Sequence, residues 1–175
     1  MTLARAHLAL GMLEPNSKLL KTARIAAAAA QAPVVGGVAV FLHGYRRTTE
    51  DVDLFADDAS RVRECLRDAG ANWNSRRREF TLGGVPIHLV TVEETGSEPG
   101  RISVIQGVPV VGLADLIRFK LHSGLQDLNR AKDLADVVEL IRRVPLTRAF
   151  AAKLPAKQRA AFKRIVDSVK GSGSR

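Results

Sequence analysis

Cysteine is almost missing from this sequence. Cys65 is the only one in 175 residues, which excludes an intramolecular disulfide and any zinc site built from cysteines. It falls in an amphipathic helical pattern and reads as an inert, half-buried thiol. Aromatic residues make up 5%, and Trp73 and Tyr45 are the only ones of their types, so base-by-base stacking readout of a single strand is not indicated. Long apolar runs are missing too. Ile25 to Gln31 is mostly alanine, is soon broken by Pro33, and is too short and weakly apolar for a membrane span. It also starts too late for an ordinary signal peptide. The expectation is a cytoplasmic chain that makes no use of a membrane.

Apolar residues, at 46%, suffice for one substantial core. Positive charge is plentiful: 27 Lys and Arg against 18 Asp and Glu give a formal net charge of +9. Such a balance favours an anionic partner, nucleic acid or nucleotide. An arginine- and alanine-rich composition can produce the same total without one, so clustering carries more weight. The clusters are Arg46-Arg47, Arg76-Arg77-Arg78, Arg142-Arg143 and the basic residues from Lys153 to Lys170.

The pattern predicts helices over 3–13 and 17–31, with helix-start chemistry at Asn16 and Ser17. Val34-Val35 reads as a short buried strand, Val38–Leu42 as a helix stopped by Gly44, and 51–55 as a second strand. Asp57-Asp58-Ala59-Ser60 opens a helix with Val62, Cys65, Leu66 and Ala69 on one stripe. Two hairpins follow, Phe80–Leu82 with Val85–Val90 and Ile102–Ile105 with Val108–Val111, separated by a turn-rich loop over 93–100. Helices are expected at Leu113–Ser123, Arg130–Arg143 and Pro155–Val169. The fold class is α+β: N-terminal helices (1–32), a mixed α/β core (33–111), a helical C-terminal part (112–170) and a flexible tail (171–175). No internal repeat is visible.

Chemistry concentrates between Val34 and Phe55. Gly36-Gly37 closes an apolar run, and Arg47, Thr49, Asp51 and Asp53 follow at close spacing. Successive strand side chains alternate between faces, which places Asp51 and Asp53 together and Val52 and Leu54 in the core. Adjacent carboxylates repel unless a cation lies between them, and Mg²⁺ suits such oxygen ligands. Glycines let a backbone come close to phosphate. The same pair also serves as a plain strand-to-helix turn, and an exposed acid-x-acid pair alone is more often solvated than metal-binding. It is the convergence that favours metal–phosphate chemistry.

Two charges sit against the helical pattern. Lys120 falls among Leu113, Leu116, Ile117 and Leu121, and Asp133 among Leu134, Val137, Leu140 and Ile141, with Asp136 at the edge. A lone buried charge is costly, so partners are required. One account is a Lys120–Asp133 ion pair tying two helices. The other points both into a cleft, where Lys120 offsets phosphate charge.

These residues resemble the nucleotidyltransferase superfamily of polymerase-beta-type fold, and within it the toxin-like proteins of the AbiEii type. The stretches that carry the likeness are VVGGVAVFLHGYRRTTEDVDLF (34–55), GVPIHLV (84–90) and LADLIRFKLHSGLQDLNRAKDLADVVELI (113–141). The resemblance implies a mixed sheet flanked by helices. Gly36 and Gly37 would meet an NTP triphosphate, with Arg47, Thr49 and Lys120 beside it. Asp51 and Asp53 would hold two Mg²⁺ (or Mn²⁺) ions. Lys120 and Asp133 would lie in the active cleft. The implied reaction moves a nucleoside monophosphate to a hydroxyl of an RNA or tRNA end, a protein or a small molecule. A toxin role with an antitoxin partner is implied as well. Active members place a third carboxylate on a later strand, where this chain has His88. Three readings stay open: an altered mechanism using His88, Glu79 or another acid as the third group, or a fold kept for nucleotide or RNA binding without catalysis.

Overall fold

A computed structural model of the chain describes residues 17–171. The helix expected over 3–13 and residues 172–175 of the expected tail lie outside the described residues. Ser17 caps the first helix, α1 (Lys18–Ala30), by accepting from the Leu20 amide at 3.3 Å. Alanines at 23, 26, 27 and 30 form its buried face, small enough to bring the helix close to the sheet. β1 (Val34–Val35) follows and leads into α2 (Gly36–Leu42). β2 (Val52–Phe55) leads to α3 (Ala59–Asp68), where Asp58 Oδ1 accepts from the Ser60 and Arg61 amides.

Three further strands, β3 (Asn72–Asn74), β4 (Glu79–Leu82) and β5 (Val85–Val90), form a meander. Next come a one-turn helix α4 (Val92–Thr95) and the hairpin β6 (Ile102–Ile105) and β7 (Val108–Val111). The C-terminal part holds α5 (Leu113–Gln126), α6 (Ala131–Arg143) and α7 (Ala156–Gly171), with 3₁₀ turns at Leu128–Arg130 and Arg148–Lys153. This α+β architecture, a mixed sheet flanked by helices with a helical C-terminal part, agrees with the sequence expectation.

All seven strands join one sheet in the order β3-β4-β5-β2-β1-β7-β6. β2 runs parallel to β5 and β1 parallel to β7, while the other neighbours are antiparallel. Val34, Val52, Leu54, Ile87, Val108 and Val110 are fully buried and anchor the core between sheet and helices.

Several local expectations need correction. β3 was not foreseen, because its three residues are all exposed and pattern weakly. α4 occupies the start of the supposed loop, where Glu94 Oε2 accepts from the Thr91 amide at 3.0 Å, a capping signal visible in Thr91-x-x-Glu94. α5 runs past Ser123 through Gly124. There the glycine marks a helix crossing rather than a stop, since a Cβ on it would lie 2.7 Å from Leu134 Cγ. α2 begins at Gly36, two residues early, and β2 begins at Val52, leaving Asp51 in the bend before it.

Candidate active site

Val35 ends β1 and Gly36 takes φ +61°, a left-handed conformation that glycine adopts without strain. Space demands glycine here as well. A Cβ on Gly36 would stand 1.8 Å from Asp53 Oδ2, and one on Gly37 would stand 2.4 Å from Thr49 Oγ1 and 2.6 Å from Arg47 Nη2. The glycine pair is therefore the floor on which Asp53, Thr49 and Arg47 rest. Thr49 Oγ1 donates to Asp51 Oδ1 at 2.9 Å and fixes that carboxylate just before the strand.

Strand register organises the acids. Val35 pairs with Asp53, Asp53 with His88, and Asn74 with Glu79. Phe80 pairs with Ile87, so the next step sets Glu79 opposite His88. One row thus crosses five strands. His88 Nδ1 lies 3.3 Å from Asp51 Oδ2 and 3.6 Å from Asp53 Oδ1, while Nε2 lies 3.1 Å from Glu79 Oε2. The nearby Asp53 carboxylate, helped by Glu79 and by the charge of Asp51 and opposed by partial burial, raises the imidazole from 6.5 to about 9. At neutral pH it is an imidazolium. Glu79, one reading of the third acid, stands behind His88 and is not among the three residues whose ligand atoms cluster.

Lys120 and Asp133 meet across α5 and α6. Lys120 Nζ lies 2.5 Å from Asp133 Oδ1 and 3.0 Å from Asp136 Oδ2. Asp133 also accepts from Ser123 Oγ at 2.5 Å and from Arg130 Nε at 2.8 Å. Burial would raise the Asp133 carboxyl, yet the Lys120 charge and these donors hold it below its ordinary value. The pair ties two helices, and both residues line the cleft that contains Asp51 and Asp53.

Sequence reasoning overlooked Asp136 as a site residue. It is only 2% exposed and bridges Lys120 to Arg47, whose Nε stands 3.5 Å from Asp136 Oδ1. Arg47 Nε and Asp136 Oδ2 are buried and lack a hydrogen-bond partner, so these contacts rest on charge alone. The misfit of Asp136 at the edge of an apolar stripe was the available signal. His122 was overlooked too. It lines the cleft beside Phe119, Ser123 and Gln126, one face of α5 at helical spacing, and burial and Lys157 lower its pKa.

The cleft encloses about 710 Å³ between the interior strands β2 and β5 of the sheet and α5–α6. Asp51 and Asp53 line it from the sheet, with Glu79 behind His88. Arg47, Lys120, Arg130 and Lys132 line it too, among Glu93, Glu94, Asp127 and Asp133, so the cleft is mixed in charge rather than divided into an acidic and a basic side.

A solved structure described as a "putative nucleotidyltransferase from H. pylori" superposes on this chain with a TM-score of 0.51 and 17% identity, covering 87% of this chain and 78% of the other. The fold is nucleotidyltransferase-like. No protein-family profile and no curated protein matches the chain. In this nucleotidyltransferase-like fold, Asp51, Asp53 and His88 each offer a ligand atom, and the three atoms lie within 4.8 Å of one another. The two aspartates fit a divalent cation: they supply hard oxygen donors, and the imidazolium held by both stands where a cation would, so His88 becomes a ligand only on losing its proton. Among the described residues, no helix is long and apolar enough to cross a membrane.

Proposed function

We propose that this chain is a divalent-metal-dependent nucleotidyltransferase that uses an NTP and moves its nucleoside monophosphate to a hydroxyl acceptor. The observation that carries the reading is one cleft that holds the Asp51–Asp53 pair over the Gly36-Gly37 floor together with Arg47, Lys120 and Arg130. A metal–triphosphate suits such a cleft, its cation at the two aspartates and its phosphates at the basic groups. Asp51 and Asp53 are the residues that hold Mg²⁺ or Mn²⁺, two ions by the resemblance. When bound, the metal offsets triphosphate charge and makes the acceptor hydroxyl more acidic.

The chain's own groups do the rest. Gly36 and Gly37 line the wall beside the triphosphate, and Thr49 keeps Asp51 oriented. Lys120 and Arg47, fixed through Asp133 and Asp136, supply positive charge where it accumulates on the phosphates. The acceptor oxygen bonds to the α-phosphorus as the bond to the bridging oxygen breaks, and pyrophosphate leaves. The hydroxyl proton passes to a carboxylate oxygen of Asp51 or Asp53, because the His88 imidazolium is already protonated. Candidate acceptors are an RNA or tRNA end, a protein side chain and a small molecule.

The test is incubation with α-labelled NTPs, Mg²⁺ and total RNA, beside an Asp51→Ala/Asp53→Ala variant. Label entering an acceptor only with the unmodified chain is the expected result. Absence of transfer together with tight Mg·NTP binding supports a second reading, which the imidazolium at His88 favours: a nucleotide- or RNA-binding protein without catalysis. A toxin role with a protein antitoxin extends the proposal. Growth arrest on expression, relieved by the same double variant, is expected, and unaffected growth argues against it.

A further inference from the structure

The row that carries Asp53 and His88 does not stop at the cleft. It continues through Glu79 to Asn74 at the sheet edge. Alternation adds Asn72, Thr81 and Pro86 to the same face, and none of these three is buried. Glu79 is the buried member, joining His88 at 3.1 Å to Arg77 at 3.7 Å. The far end of this polar face is the turn bearing Arg76, Arg77 and Arg78, all exposed. The turn has a defined shape, because Asn74 Oδ1 accepts from the Arg76 and Arg77 amides at 3.1 and 3.2 Å. Arg78 completes it in the left-handed region at φ +55°.

We infer that the β3–β4–β5 face is a docking shelf for the single-stranded end of a nucleic-acid acceptor, with the Arg76–Arg78 turn binding its phosphates. The inference rests on the transferase reading and names the acceptor class for that site. Three adjacent cations on an ordered turn complement a phosphate backbone, and the polar row beyond them leads to His88 and the two aspartates. A strand lying along it brings its terminal hydroxyl to Asp51 and Asp53. The single tryptophan takes no part: Trp73 pairs with Phe80 on the opposite face, their rings 4.9 Å apart. The shelf therefore offers phosphate contacts without a stacking platform, and binding with little base preference follows.

The experiment measures binding of a short fluorescein-labelled single-stranded RNA with a free 3′-hydroxyl between about 50 and 200 mM salt. Three phosphate contacts give a slope of log K against log salt near −2 for single strands. Arg76→Gln/Arg78→Asn keeps a residue tolerant of the left-handed backbone and removes two of the contacts. Its slope shrinks by about 1.4, while Mg·NTP binding stays within about twofold. Arg63→Gln/Lys170→Gln lowers the net charge equally at exposed sites elsewhere and leaves the slope unchanged. Equal RNA binding by the turn variant and the native chain overturns the inference. So does an equal loss in the Arg63/Lys170 control, or no RNA binding by the native chain at the lowest salt, which points to a protein or small-molecule acceptor. Failure of the native chain to bind Mg·NTP contradicts the transferase reading instead and leaves the RNA slopes interpretable.

Discussion

At the scale of single residues, His88 carries the most unusual chemistry. Its imidazolium is held by Asp53, Glu79 and Asp51, and its pKa stands near 9 rather than 6.5. A raised histidine stabilises the folded chain fully below its unfolded value and loses that contribution as pH rises through the folded one. Urea unfolding of the metal-free protein is therefore expected to show stability falling between pH 6.5 and about 9, and His88→Gln to flatten that slope. Some 38% of the side chain is exposed, so solvent screens the effect and a modest slope is expected. A pH-independent native chain over this range contradicts the arrangement. Asp136 is a sharper case. It is buried between Lys120 and Arg47, and removing one partner of a buried charge network strands the others. Asp136→Ala should cost roughly 3–5 kcal/mol by chemical denaturation. The loss in the Asp136→Ala/Lys120→Met double variant should fall well short of the sum of the single losses.

At the scale of elements, much of the site was legible because local rules wrote it. Glycines at 36 and 37, acids at 51 and 53, and a lysine on an apolar helix stripe each break a pattern, and a broken pattern shows in one dimension. Their partners do not. Glu79 meets His88 only because β4 and β5 pair in one register, and Arg47 meets Asp136 across about half of the chain's length. The glycines illustrate the same limit. Sequence ties them to phosphate or to a turn, whereas the structure shows Asp53, Thr49 and Arg47 packed on them. Gly36→Ala is expected to displace Asp53 and abolish Mg·NTP binding, beyond the ~10–100-fold loss typical of an outer-shell change at a metal site. Gly124→Ala, where α5 meets Leu134, should instead cost about 1–3 kcal/mol of stability with nucleotide affinity preserved. Calorimetric titration beside thermal unfolding separates the two, and equal effects on binding would count against this division.

At the scale of the whole molecule, α+β character followed from the order of elements, and the seven-stranded order did not. A parallel β1–β7 pair joins residues far apart in sequence, which no periodicity records. The net charge of +9 suggested an anionic partner but said nothing of where it would bind. The fold gathers Asp51 and Asp53 with Arg47, Lys120 and Arg130 in one cleft and sets an arginine turn at one sheet edge. The most direct test of this account is calorimetric titration of NTPs with Mg²⁺ and with EDTA, using the native chain and Asp51→Ala/Asp53→Ala. The account predicts binding that requires both the cation and the two aspartates. Binding that survives EDTA or the double substitution undiminished, or no NTP binding by the native chain, would contradict it.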